Sequence, residues 1–170
     1  MSRRAAPLSE APIPEPGAPE FALDRHLFFW ITQLLDRRDR QLAVALKSAG
    51  LRVPEWRALA SLYSRHRLSM SELADLTSIE RTTLSRTVER MVRAGWVTRL
   101  ADTSDARVTR LRLTTAGERL FARIWPAVRA VNNAAIAGLP GPAVEMTHWA
   151  LQEMCRNFDS LAERGRRDIA

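Results

Sequence analysis

Arg81, Thr82, Ser85, Arg86, Glu89, Arg90 and Arg93 recur at helical steps, so on a helix they share one outer face, with Thr83 beside it at the start. Thr and Ser hydroxyls bond phosphate oxygens or base edges, and Arg bonds guanine through two parallel N–H groups. Further on, Asp105, Arg107 and Arg110 fall around a second basic stretch. Between residues 81 and 112 eight Arg meet three acids, a net of +5, against +7 for the whole chain. The flanks are nearly neutral: residues 1–80 hold eleven basic and ten acidic groups, and residues 113–170 hold seven and six. Positive charge gathered on one helix and one hairpin is what a phosphate backbone selects. The plainer alternative is a solvated Arg-rich surface, since 25 of the 26 basic residues are Arg. The clustering favours the nucleic-acid reading.

Those groups need elements to hold them. Leu84, Val88, Met91 and Val92 form an inner stripe, which predicts a helix from about Arg81 to Ala94, stopped by Gly95. Ser69-Met70-Ser71-Glu72 has capping-box spacing, so a short helix with Leu73, Ala74 and Leu76 begins near Met70 and ends in a turn at Thr77-Ser78-Ile79. Two alternating runs follow, Trp96–Leu100 and Arg107–Leu113, joined by the polar tip 101–106. They predict a hairpin with a loop longer than two residues.

Longer helices bracket this unit. Leu23, Leu27, Trp30, Ile31, Leu34, Leu35, Leu42, Ala45 and Leu46 predict a helix over about 21–48, with Gly50 as its stop. Pro54 suits the first turn of a second helix carrying Trp56, Leu59, Ala60 and Tyr63. Thr114 or Thr115 caps a helix with Leu120, Phe121, Ile124, Trp125, Val128 and Val131 inward; Pro126 should bend it. After the break at Gly138-Leu139-Pro140-Gly141-Pro142 a last helix lines up Val144, His148, Leu151, Met154, Cys155, Phe158 and Leu161. The end helices hold more apolar surface than the middle segment can cover, so they are expected to pack against a second copy. The alternative is packing of the first and last helices on each other.

The remaining features set bounds. Residues 1–20 contain five Pro and almost no large apolar group, which predicts a flexible arm ahead of a single domain over 21–170. No apolar run is long enough to span a membrane, and the N-terminus lacks the apolar region of a secretory signal, so a cytoplasmic protein is expected. A single cysteine, Cys155, allows no internal disulfide. It lies on an apolar face, which predicts inert core. His26, His66 and His148 lack metal-ligand spacing, and no Gly-rich phosphate loop, nucleophile elbow or carboxylate pair appears. The expectation is therefore no enzyme, no cofactor and no metal.

Two short helices, a tight turn and a basic hairpin make a winged helix-turn-helix, whose second helix enters the major groove. From Glu72 to Gly117 the chain resembles the MarR family of transcriptional regulators. The resemblance is carried by Glu72-Leu73-Ala74, Thr83-Leu84-Ser85-Arg86, Gly95-Trp96-Val97-Thr98-Arg99, Asp102-Thr103-Ser104-Asp105-Ala106-Arg107 and Leu113-Thr114-Thr115-Ala116-Gly117. Thr103 and Ala106 depart from the family's wing, where Pro and a second basic residue are common. The resemblance implies a homodimer joined by its first and last helices, about 21–48 and 114–165, with a DNA-binding lobe over about 54–113. It also implies that Arg107 enters a minor groove and that Asp105 orients it.

The fold expected is thus mainly α with a small β-hairpin, a winged helix-turn-helix flanked by long dimerisation helices. The function expected is a sequence-specific, ligand-responsive repressor acting as a homodimer on a pseudo-palindromic site in double-stranded DNA. The candidate DNA contacts are Arg81, Thr82, Thr83, Ser85, Arg86, Arg90, Asp105, Arg107 and Arg110. Relatives often release DNA on binding a small aromatic or phenolic effector, and His26, Trp30, Trp56 and Arg57 are the candidate effector residues. The alternatives are a winged-helix module that binds proteins and a ligand-binding protein without DNA activity.

Overall fold

The structure, a computed structural model, describes residues 22–102 and 108–167. The expected first helix is broken at its start. A 3-10 turn, Leu23–Arg25, precedes α1, Leu27–Leu46, because His26 between them is extended at φ −82°, ψ 123°. The Trp30 indole N–H donates to the Asp24 carbonyl at 2.5 Å and ties the turn to α1. After a second 3-10 turn, Lys47–Ala49, α2 runs Val53–Arg65 with Pro54 in its first turn. There Pro lacks only an N–H that the helix would leave unpaired.

The middle segment follows in the order β1 (Leu68–Ser69), α3 (Met70–Thr77), α4 (Arg81–Arg93), β2 (Val97–Ala101) and β3 (Thr109–Leu113). The capping box forms as expected: Ser69 Oγ accepts from the Glu72 N–H at 3.2 Å, and the Ser69 N–H donates to the Glu72 carboxylate at 2.7 Å. Ser78, left-handed at φ 52°, turns the chain between α3 and α4. Gly95, at φ 71°, lets the Trp96 N–H reach back to the Met91 carbonyl at 2.9 Å and ends α4.

The hairpin is part of a three-stranded antiparallel sheet in the order β1-β3-β2. Leu68 faces Leu111, and Arg99 faces the other side of Leu111. The third strand, β1, is not foreseen by the sequence reading. The wing tip, with the expected positions of Thr103, Asp105, Ala106 and Arg107, lies outside the described residues, as does the N-terminal arm.

Thr114 is the residue that caps α5, Thr115–Ile136, accepting from the Gly117 N–H at 3.1 Å. Helix α5 continues unbroken through Pro126. The last helix, α6, spans Gly141–Arg167. One core joins the layers: Leu42 and Leu46 of α1, Trp56, Leu59 and Leu62 of α2, Leu73 of α3, Leu84, Val88 and Met91 of α4, Leu111 and Leu113 of β3, and Leu120, Ile124 and Val128 of α5. Helix α6 contributes nothing to it. Cys155, expected in a core, is exposed in this protomer because the face it shares with α6's apolar residues has no covering layer.

Candidate nucleic-acid interface

Helix α4 is amphipathic in the sense the site requires. Leu84, Val88 and Met91 are fully buried and fix its inner face; each such side chain stabilises its placement by roughly 1.5–3 kcal/mol. Arg81, Thr82, Thr83, Arg86, Glu89 and Arg93 are exposed on the other side, with Ser85 half-buried. The helix therefore presents its hydroxyls and guanidinium groups as one rigid face.

The members of that face are not equivalent. Arg86 is exposed and forms no hydrogen bond or ion pair with any described residue, so its donors are available. Arg81 donates to Ser71 Oγ at 3.0 Å and is tethered to α3. Ser85 Oγ lies 3.4 Å from a Glu89 carboxylate oxygen. Thr82 and Thr83 sit in the first turn, where their backbone N–H groups donate to the Glu80 carboxylate.

Arg90 is placed differently from the sequence expectation. Its Nε lies 3.0 Å from a carboxylate oxygen of Glu55, which is only 2% exposed, and its Nη2 donates to the Gly50 carbonyl at 2.9 Å. The same Glu55 carboxylate accepts from the Arg52 N–H at 2.9 Å. A buried carboxylate needs such partners to offset its lost hydration. Arg90 therefore pins α4 to the start of α2, and its guanidinium is engaged within the protomer although the side chain is still 34% exposed.

Arg110 is committed as well. Its guanidinium bridges the Asp102 carboxylate at the end of β2 and the Glu72 carboxylate at the start of α3. The Ser69 backbone N–H, then the Ser69 hydroxyl and Arg110, hold the Glu72 carboxyl below its ordinary value. Arg110 thus ties the wing's base to the helix-turn-helix. The sequence reading named Glu72 only as a helix cap and Asp102 only within the wing motif, and it did not name Glu55; none was foreseen as the partner of an Arg on another element. The only signal for them was an acid placed within reach of an Arg on another element, and reach is a property of the fold.

The candidate effector residues do not converge within one protomer. Trp56 is 4% exposed and stacks on Phe121 at 5.4 Å, as part of a series with Tyr63 and Trp125. Arg57 pairs with Asp39 at 2.6 Å. Trp30 is exposed nine residues earlier on the same helix as Asp39, a rise of about 13 Å. His26 is half-buried at the start of α1. None of the four lines either of two described cavities. One of these, about 500 Å³, is bordered by Leu62, Tyr63, His66, Arg112, Leu113, Glu118, Arg119 and Ala122. The other, about 430 Å³, lies between α2 and α4 around Glu55, Arg86 and Arg90.

A helix with an exposed basic face, held by a capped shorter helix and followed by a small antiparallel sheet, is a winged helix-turn-helix. Comparison with known proteins is specific beyond that class. The MarR family's sequence model matches residues 51–109. The chain is 26% identical over 147 residues to the HTH-type transcriptional repressor IacR of Pseudomonas putida, spanning 86% of this chain and 88% of that protein. It is 31% identical over 102 residues to the HTH-type transcriptional repressor Rv2887 of Mycobacterium tuberculosis, spanning 60% of this chain and 73% of that one. The crystal structure of a MarR-family transcriptional regulator from Silicibacter pomeroyi superposes with a TM-score of 0.74 at 26% identity, covering 80% of this chain and 92% of that one. The chain belongs to the MarR family and is a DNA-binding transcriptional regulator. None of its described helices is long and apolar enough to cross a membrane.

Proposed function

We propose that this protein is a cytoplasmic, ligand-responsive repressor that binds a pseudo-palindromic operator as a homodimer. The observation that carries the DNA half of this reading is the exposed face of α4: Arg86 and Arg93 form no ion pair among the described residues, while Leu84, Val88 and Met91 lock the helix beneath them. Two such helices related by a two-fold axis fit two successive major grooves one helical turn apart. Arg86 is the proposed base contact, Arg81 and Arg93 are proposed phosphate contacts, and Arg90 and Arg110 set the angle of helix and wing. Asp105 and Arg107 keep their proposed role in the minor groove.

The effector part of the reading rests on the cavity beside Tyr63. It sets one aromatic ring near the guanidinium groups of Arg112 and Arg119, a combination suited to an aromatic carboxylate. That cavity replaces the set His26, Trp30, Trp56 and Arg57 as the proposed place.

One titration tests both parts. Affinity for duplex DNA is measured at several salt concentrations, then repeated with benzoate. Neutralising about six phosphates per dimer gives a log–log slope near −5. A slope near zero overturns DNA binding. Unchanged affinity in millimolar benzoate overturns the aromatic-carboxylate effector.

A further inference from the structure

The exposed start of α4 holds a second device, built from Glu80 and Thr82. Glu80 is the residue before the helix. Its carboxylate accepts the backbone N–H of Thr82 at 3.0 and 2.9 Å and that of Thr83 at 3.1 Å. The Thr82 hydroxyl donates to the same carboxylate. That hydroxyl bond first, then the two backbone amides and the charge of Arg86, hold the Glu80 carboxyl below its ordinary value. An ionised carboxylate has no proton to give, so the direction of the hydroxyl bond is set: Thr82 donates. A hydroxyl has one proton. With it committed to Glu80, Thr82 Oγ1 offers only lone pairs to a molecule docking from outside.

The major groove presents two kinds of polar edge at these positions. Adenine N6 and cytosine N4 donate, whereas guanine O6 and thymine O4 accept. Phosphate oxygens also only accept. An oxygen restricted to accepting can bond the first kind and is repelled by the second and by phosphate. We propose that Thr82, with its hydroxyl oriented by Glu80, is a specificity-determining residue that selects an amino-bearing base over a keto-bearing one. Glu80 is then a positioning residue. Its carboxylate also fills the helix start, where a phosphate would otherwise be attracted. This inference rests on the reading of α4 as the helix that enters the major groove.

The test is selection of sites from a randomised duplex library by the full chain and by Thr82→Val, Thr82→Ser and Glu80→Gln, with a thermal melt of each. Wild type and Thr82→Ser should share one position per half-site restricted to adenine or cytosine on one strand, by about five- to tenfold. Thr82→Val should lose that restriction and keep the rest of the site. Glu80→Gln can still accept the backbone N–H groups, but its amide can donate to Oγ1 and release the hydroxyl proton. It should accept guanine or thymine at that position and bind random duplex two- to fivefold more tightly. Retention of the restriction by Thr82→Val overturns the proposal. So does a Glu80→Gln variant with an unchanged site preference, which would make Glu80 a helix cap alone. A wild-type protein that enriches no sequence overturns the regulator reading itself and this inference with it.

Discussion

Two arginines one helical turn apart, Arg86 and Arg90, have the same chemistry in the sequence and opposite commitments in the structure. Arg86 keeps its donors in solvent, whereas Arg90 spends its own on Glu55 and Gly50. Their alanine variants should therefore separate cleanly. Arg86→Ala should leave the melting temperature unchanged and cost about 1–3 kcal/mol on the selected site, with sequence preference relaxed at one position. Equal loss on every single-base variant would make Arg86 a phosphate contact. Arg90→Ala should destabilise the fold by about 2–3 kcal/mol, because it strands the carboxylate of Glu55 in the interior, although the pair's open flank softens the penalty. Denaturant titration checks this. An Arg90→Ala protein as stable as wild type would show that the Glu55 pair does not hold α4.

Short elements in this lobe are defined by what ties them together. Where β3 runs into α5, Thr114 donates its N–H to the Trp96 carbonyl at 3.0 Å and its hydroxyl to the Gly95 carbonyl at 2.6 Å, just before β2 begins. Gly117 packs so closely there that a Cβ would lie 2.2 Å from the Trp96 carbonyl oxygen. The run Leu113-Thr114-Thr115-Ala116-Gly117 is thus a physical clasp between sheet and helix. Gly117→Ala should cost about 3 kcal/mol in a denaturant melt, since the atom the new Cβ would meet is backbone and cannot rotate away. An effect within experimental error would contradict the close approach. The clasp at the other end of the lobe responds to acid. The Glu72 carboxyl lies below its ordinary value of 4.5 in the folded chain. Its stabilising contribution is complete above that value and is lost as pH falls through the lower folded value. The stability gap between wild type and Glu72→Gln should therefore close as pH drops below 4.5; a gap that stays constant in acid melts would exclude the charged contact. Helix starts were legible because Ser69 with Glu72, Thr114 and Pro54 act within their own turn. Strand β1 was not, because two residues have no periodicity and pair with Leu111 and Arg110 some forty residues away. The break at His26 was hidden for a similar reason: the apolar spacing runs straight through it. Arg90 and Arg110 were read as DNA contacts because a face on a helical projection shows spacing but not which acid a neighbouring element brings alongside.

Across the whole molecule the largest unsatisfied feature is apolar rather than charged. Leu27, Trp30, Leu34 and Leu35 of α1 and Met146, Trp149, Phe158 and Leu161 of α6 are exposed, and Phe158 remains 58% exposed although its ring lies 6.0 Å from that of Phe28. The first and last helices thus touch within the protomer but leave both apolar stripes open. A second copy offers the same two stripes in return, and in a two-fold arrangement every contact forms twice. Burying each large side chain contributes roughly 1.5–3 kcal/mol, so a few per protomer suffice for a stable pair. Phe158→Glu would place two carboxylates in that interface, and unpaired buried charge costs far more than one lost ring contributes. The variant should elute as a monomer, or fail to stay soluble, at concentrations where wild type is a dimer by light scattering. Leu151→Glu serves as an independent second variant, since Leu151 is exposed on the same helix. Helix α4 and the sheet share no core residue with α6, so a soluble monomer should retain its DNA-binding lobe. It should then bind random duplex with about half the dimer's salt slope, because half as many phosphates are neutralised per binding event. A Phe158→Glu protein that remains dimeric with an undiminished slope would place the pairing surface elsewhere on the molecule.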